Sequence, residues 1–540
     1  MILSGIFPEK GEIPDFNFLL NYNEPYCIIR VNKKLRWNAV MSNLVGMLTA
    51  GAAVFIPLAA IALIVGVIAA AVVVIAIICV VRTLKTKAEE KNNEPAISWT
   101  KEEEDKYAEK LSAMVKVPTV SKAKGEDYSD FLKLQSVMEE LYPNIFRVLE
   151  KHDFEGNILR CWKGTNPSKG AILLMGHQDV VPAAEKEWTR DPFSGEIADG
   201  CVHGRGSMDC KSTLSAEWSA VEELISEGFT PEEDIWLFSS VNEENSGGGA
   251  KDAAKWFKDN GIRLNAVLDE GGAVIGNVFP GLSKPCAAIG IVEKGFCNLK
   301  FTARGKGGHS STPPRKTPMA RLGMFMADVE KHDPFKRRLV SPIPEMFTEL
   351  APHLTFPLRL VMSNLWLFKG LLSKVLPLFS PMAGAFVRTT CAFTMAEGSE
   401  APNVIPDEAY VICNIRPSVH QKAEESIEVL KKIAAKYDIE TEVLLSRDPS
   451  NVSSPESEEF SYLKKCIGEA IPDVVAIPYL MTGGTDCRQF ELVSDNCLRF
   501  TPTRLTPEQL AAMHAANENI GVSALAEGVK FYKYYIQNRK

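Results

Sequence analysis

The sequence predicts an α/β protein: a mostly parallel sheet sandwiched by helices, split by an inserted α+β domain and preceded by a membrane-spanning segment. Three observations predict it. Short apolar runs, Ala171-Ile172-Leu173-Leu174-Met175, Ile235-Trp236-Leu237-Phe238-Ser239-Ser240-Val241 and Ala266-Val267-Leu268, are separated by helical stretches, which is the pattern of buried parallel strands. A later segment, from Phe296 to Arg304, alternates apolar and polar residues as a half-exposed strand does. No charged residue interrupts the chain from Leu44 to Val81.

Taken from the N-terminus, residues 1–43 form a polar segment and 44–82 a membrane segment. The uncharged run exceeds the ~20 residues that cross a bilayer as a helix. Pro57 either starts a single span or marks the bend of a short hairpin. A cleaved signal is disfavoured because a polar segment precedes the run. Arg30, Lys33, Lys34 and Arg36 before the run are matched by Arg82, Lys85, Lys87 and Lys91 after it. The apolar run places the protein in a membrane, but the positive-inside rule cannot orient it and leaves the side of its main domain open. Residues 83–100 read as a juxtamembrane linker.

Residues 101–292 form the first block of the main domain, opening with helical spacing of Ala108, Leu111, Met114 and Val115 and a second amphipathic stretch from Phe131 to Leu141. An inserted domain, 293–447, follows. Its strands are expected at 296–304, 389–394, 409–414 and 441–445, and its helices at 318–331 and 424–437. Antiparallel strands with helices on one face give a two-layer, ferredoxin-like unit. Within it, 334–387 is an apolar insert. The main domain resumes over 448–540, and no internal repeat is evident.

The 540 residues carry 60 basic and 68 acidic side chains, a net charge of −8. Nothing concentrates positive charge, so nucleic acid is not an expected partner. The 12 cysteines are scattered without a CxxC pair, which favours a reducing compartment.

The chemistry gathers at the ends of the apolar runs. Gly176-His177-Gln178-Asp179 follows the first, Asn242-Glu243-Glu244-Asn245 the second and Asp269-Glu270 the third, with Met208-Asp209-Cys210-Lys211 between. Ligands collect at the carboxyl ends of parallel strands. Catalytic zinc takes imidazole and carboxylate ligands at about 2 Å, and one carboxylate can hold two ions roughly 3.5 Å apart. Asp209 is the expected bridge. His177 and Asp269 would complete one site, Glu244 and His514 the other. Asp179, two residues beyond His177, would orient that imidazole. Glu243 points away from its neighbour and is the expected general base.

These segments resemble the metallopeptidase-twenty family of aminoacylases, carboxypeptidase S-like enzymes and succinyl-diaminopimelate desuccinylase. The resemblance rests on 176–182, Trp188 with 191–195, 204–211, 307–311, Asn403-Val404-Ile405-Pro406, 483–488 and His514, and covers roughly residues 100 to 540. Cys210 departs from the residue often found there. The family implies a zinc-exopeptidase-like fold with two zinc ions, replaceable by cobalt or manganese, held by His177, Asp209, Glu244, Asp269 and His514. It implies Glu243 as base, Asp179 as orienting residue, and a lid or homodimerisation domain whose His309 reaches the site, in many members that of the other subunit. Asn403, Arg416 and Arg488 match positions that grip a substrate carboxylate, with backbone donors from Gly484 and Thr485. The implied substrate is a peptide or an N-acyl amino acid, giving a carboxypeptidase or an aminoacylase. The alternative is an inactive, membrane-anchored binding protein. The insert at 334–387 reads either as ordinary lid or dimer core, or as an apolar channel or membrane-facing surface for a long acyl chain.

Overall fold

Ala171–Met175 is buried along its whole length, so it can only be an interior strand covered on both faces. The computed structural model describes residues 58–87, 94–123, 126–184, 186–276 and 281–539, and places this strand at the centre of a ten-stranded sheet. Asp234–Ser239 and Ala266–Asp269 flank it in parallel, and Cys497–Arg499 extends the parallel run beside Ala266–Asp269. Outside this centre the pairing changes. Ile158–Trp162 joins Asp234–Ser239 antiparallel, and Cys286–Glu293 joins Cys497–Arg499 and Val274–Ile275 antiparallel. Val475–Met481 nevertheless pairs with Cys286–Glu293 in parallel, as Arg504–Leu505 does with Val274–Ile275, so the sheet is mixed with parallel pairs in the majority.

Helices cover the sheet. Lys101–Val115 starts at a capping box in which the Thr100 hydroxyl accepts from the Glu103 amide and the Glu103 carboxylate accepts from the Thr100 amide. Lys211–Ser226 is buried over most of its length, and the C-terminal helix Val522–Gln537 packs against both. Glu223 ties the three together. Its carboxylate accepts from the Tyr107 hydroxyl at 2.7 Å and Lys106 at 3.0 Å, and lies 3.6 Å from Lys530 and 3.5 Å from Lys533.

The second sheet has four antiparallel strands in the order Thr390–Glu397, Glu408–Arg416, Phe296–Arg304, Glu440–Arg447. Leu299, Phe301, Val411 and Ile415 bury their side chains against Leu322 and Phe325 of helix Pro318–His332 and Leu430 of helix Ala423–Ala435. The insert is helical, with Ile343–Leu350, Phe356–Met362, Leu365–Phe379 and Pro381–Ala385. Its buried residues Ile343, Phe347, Leu376 and Phe386 belong to one cluster with Ala288, Val292, Val475 and Ile477. It thus packs on the large sheet and not in the four-stranded unit.

A 28-residue helix, Leu58–Lys85, carries no acidic residue and ends on Arg82 and Lys85. It is long and apolar enough to cross a membrane. Residues 79–540 form one compact unit. The polar segment 1–43, the start of the apolar run at 44–57 with the Pro57 bend, and linker residues 88–93 lie outside the described residues. The chain is docked by Ala96, whose amide donates to the Glu469 carbonyl at 2.8 Å.

Burial pushes the Glu223 carboxyl up, but Tyr107, Lys106 and Lys530 more than reverse it and hold it at about 2. A carboxylate depressed by folding stabilises above its unfolded value and stops doing so as acid titrates it. Glu223→Gln is expected to cost about 2 kcal/mol in urea unfolding at neutral pH. The difference from wild type should shrink as pH falls from about 4 to about 2.

Candidate metal centre

Asp209 stands on the loop before helix Lys211–Ser226, and its two oxygens face two imidazoles. Oδ1 lies 3.1 Å from His177 Nε2 and Oδ2 lies 3.0 Å from His514 Nε2. His514 Nε2 is also 3.2 Å from Glu244 Oε2. His177 is buried at the end of the central strand, whereas His514 stays half exposed at the rim. His514 has a left-handed backbone, φ 60°, which turns its side chain out of the loop toward Asp209. The two carboxylates raise its imidazolium to about 10. Burial pushes Asp209 up, and the two histidines outweigh that and lower it.

Asp179 does two jobs. Its backbone carbonyl, at 2.8 Å, is the nearest partner of His177 Nδ1, with its carboxylate 3.4 Å away. That carboxylate accepts instead from the amides of Glu243 at 3.1 Å and Glu244 at 3.0 Å. It fixes the turn on which both glutamates stand. Cys210 also has a role: its thiol sulfur lies 3.1 Å from the His177 amide and takes that N–H.

Asp269 Oδ1 accepts from the Glu270 amide and Oδ2 from the Cys487 amide, both at 2.8 Å. Burial raises its carboxyl to about 6. Burial raises Glu270, and the charges of Asp209, Asp269 and Glu244 raise it further. Glu243 is raised by burial, with Asp486, Glu270 and Asp179 adding to it against His177. Burial raises Asp486 to about 7, and its carboxylate accepts from the Ser240 hydroxyl at 2.5 Å.

The donor set fits a divalent cation. Ligand atoms of Asp209, Glu244 and His514 lie within 4.8 Å of one another, as do those of His177, Asp209 and Cys210. Glu244 Oε1 is buried without a hydrogen-bond partner. Carboxylates outnumber imidazoles here, and mutual repulsion raises Glu270 and Glu243; a bound cation relieves such repulsion.

Sequence reasoning missed Glu518. Its side chain is fully buried, Oε1 accepts from the amides of Gly206, Met208 and Asp209 at 3.0, 2.9 and 3.1 Å, and Oε2 accepts from Arg205 at 2.8 Å. Arg205 also donates to the Ala515 carbonyl at 3.1 Å. The His514 loop and the Asp209 loop are thus one unit. The signal was present as Arg205 and Glu518 beside candidate ligands, but nothing in sequence pairs them.

The other expected residues fall into two places. Thr485 caps the 3-10 helix Asp486–Leu492 and donates to Glu293 Oε1 at 3.2 Å. Gly484 passes so close to Glu293 that a Cβ there would stand 3.2 Å from its carboxylate, and Arg488 lies 3.6 Å from the same group. His309 and Asn403 meet elsewhere, on a two-stranded ribbon where the Ser310 amide donates to the Asn403 carbonyl at 3.0 Å. His309 Nδ1 is 2.8 Å from the Ser311 hydroxyl and the ring is exposed. Arg416 ends a strand of the antiparallel sheet with its guanidinium 4.4 Å from the Phe296 ring. Among the described residues, no hydrogen bond or ion pair joins His309, Asn403 or Arg416 to the His177–Asp209–His514 cluster.

A family model described as peptidase family M20/M25/M40 matches residues 173–538. A Xenopus tropicalis protein described as N-fatty-acyl-amino acid synthase/hydrolase PM20D1 is 33% identical over 477 residues, 86% of this chain and 93% of its own length. A Dictyostelium discoideum protein described as probable carboxypeptidase S-like 2 is 32% identical over 451 residues, 82% of this chain and 86% of its own. Among solved structures, human carnosine dipeptidase 1 shares the fold with a TM-score of 0.56 at 19% identity, covering 80% of this chain and 95% of that one. The metallo-carboxypeptidase Sso-CP2 of Sulfolobus solfataricus matches with a TM-score of 0.56 at 19% identity, covering 80% and 98%.

Groups that hold metal ligands in place typically set 10- to 100-fold in affinity. Glu518→Gln turns an amide toward Arg205 and should weaken zinc binding by about that factor, read by competition with a chromogenic chelator, while the circular dichroism spectrum stays that of wild type.

Proposed function

Because the chain belongs to peptidase family M20/M25/M40 and is a metallo-amidohydrolase, we propose that it is a membrane-anchored dinuclear zinc enzyme hydrolysing the amide bond of N-acyl amino acids. The observation that carries the reading is one carboxylate, Asp209, set between His177 and His514. Asp209 would be shared by two ions, with His177 holding one and Glu244 and His514 the other. The sequence points to Asp269 as the remaining ligand, but both of its oxygens are engaged by backbone amides. Glu270, which feels the charge of Asp209 directly, takes that place and Asp269 braces it.

Bound zinc would supply an activated water near neutral pH and polarise the scissile carbonyl. Glu243 accepts a proton from the attacking water and passes it to the leaving amine. Burial keeps its proton affinity high, as that exchange requires. Asp179 holds Glu243 in register through its amide. Arg416, Asn403 and Arg488 hold the substrate carboxylate, since a guanidinium binds it with two parallel hydrogen bonds, and the amides of Gly484 and Thr485 add to them. His309 donates to the oxyanion. Its exposed ribbon and lack of contact with the cluster in its own chain support delivery to the site of a second subunit, with the four-stranded unit as lid and dimerisation domain. The helix Leu58–Lys85 supplies the anchor.

The acyl preference follows the relative named an N-fatty-acyl-amino acid synthase/hydrolase. A carboxypeptidase reading is favoured by the carboxypeptidase S-like relative at 32% identity. The detergent-solubilised full chain, loaded with zinc, should hydrolyse N-acyl amino acids faster as the acyl chain lengthens. Equal or greater turnover of C-terminally free dipeptides would favour the second reading. Glu243→Gln should lose about 10²-fold or more of turnover while keeping its zinc. Glu270→Gln should lose zinc more severely than Asp269→Asn, measured by metal content after dialysis; the reverse order would restore Asp269 as the ligand.

A further inference from the structure

The insert leaves an apolar face that none of the described residues of the compact unit covers. Trp366, Leu371, Leu378 and Phe379 on helix Leu365–Phe379 are 49%, 59%, 81% and 75% exposed, and Phe356 and Met382 on neighbouring helices are exposed as well. The opposite side of the same helix is packed: Leu376 joins the cluster on strands Cys286–Glu293 and Val475–Met481. Lys294 fastens the end of the insert by donating to the carbonyls of Ala385 at 3.1 Å and Arg388 at 2.8 Å. The outer face is therefore held rigidly on the main domain.

Two further observations identify what covers it. First, Asn364, fully buried at the start of that helix, donates to the Cys79 carbonyl at 3.2 Å and lies 3.3 Å from the Thr83 hydroxyl. Cys79 and Thr83 belong to the last turns of the apolar helix, just before Lys85. The insert grips the chain where the span gives way to its basic flank, which is the level of the headgroups. Second, the chain has a net charge of −8, yet residues 350–396 contain no Asp or Glu while including Arg359, Lys369, Lys374 and Arg388. Lys369 and Lys374 are exposed among the apolar residues. Exposed Trp, Leu and Phe interleaved with Lys, without acids, is the composition of a helix that lies in a membrane interface.

We infer that the outer face of Leu365–Phe379, with Phe356 and Met382, is a second membrane contact: it beds into the anionic headgroup and upper acyl region of the bilayer that the Leu58–Lys85 helix crosses. The inference rests on the anchoring proposed above. A single span fixes the distance of the domain from the bilayer but leaves it free to rotate; a second contact fixes one face of the enzyme toward the lipid.

The full chain is reconstituted into phosphatidylcholine/phosphatidylserine vesicles, with lipids brominated high on the acyl chains as quencher. The Trp366 signal is the difference between wild type and Trp366→Phe. It should be quenched by the brominated lipid, shielded from aqueous iodide, and less quenched when phosphatidylserine is omitted. The Leu371→Asp/Leu378→Asp/Phe379→Asp variant, altered only at exposed positions, should lose the quenching and still float with the vesicles after an alkaline wash. Flotation of wild type with Trp366 open to iodide and untouched by brominated lipid would overturn the second contact alone. Shielding of Trp366 that tracks cross-linked dimers rather than lipid would assign the face to a second copy and overturn it too. Failure of wild type to float would refute the anchor itself.

Discussion

The whole site turns on how one buried carboxylate is held. Asp209 can present an oxygen to each of two imidazoles only while its own backbone is fixed, and Glu518 fixes it with three amide hydrogen bonds. Removing a group that satisfies several buried amides costs far more than one hydrogen bond contributes, because each amide is left unpaired. Arg205 balances the charge of Glu518 and reaches the carbonyl just after His514. A structural ion pair thus sets the distance between the two histidines.

The same economy recurs around it. Asp179 holds the Glu243–Glu244 turn, Asp269 holds the Glu270 and Cys487 amides, and the buried Arg499–Glu293 pair, at 2.7 Å, stands beneath Thr485. The Asp269–Cys487 link, like those of Glu518, joins the block before the inserted domain to the block after it. Buried ion pairs are weak sources of stability because desolvation offsets attraction. Their value here is geometric: they force two remote stretches of chain into one register at the edge of one sheet.

The strands at 171–175 and 234–239, the four-stranded unit and the helix ending at Lys85 were legible, because each announces itself by a local pattern of burial. So was the meeting of His177, Asp209, Glu244 and His514, which sit at strand or loop ends in residue types that metals take. What was not legible depends on topology. The mixed pairing of the outer sheet follows from which strand returns beside which. Glu518 and Glu293 look like ordinary acids until the fold closes around them. The choice between Asp269 and Glu270 hangs on one peptide plane, since adjacent side chains leave a strand end in opposite directions. The apolar insert was visible as composition, but its packing on the large sheet, and hence which face stays bare, was not.

The proposed function depends on Asp209 as a bridge. Diffraction from zinc-loaded crystals, collected on both sides of the zinc absorption edge, tests it most directly. Two anomalous peaks roughly 3.5 Å apart, one on each oxygen of Asp209, with His177 on one and His514 on the other, are the predicted result. A single peak shared by both histidines, or two peaks that leave Asp209 unligated, would contradict it.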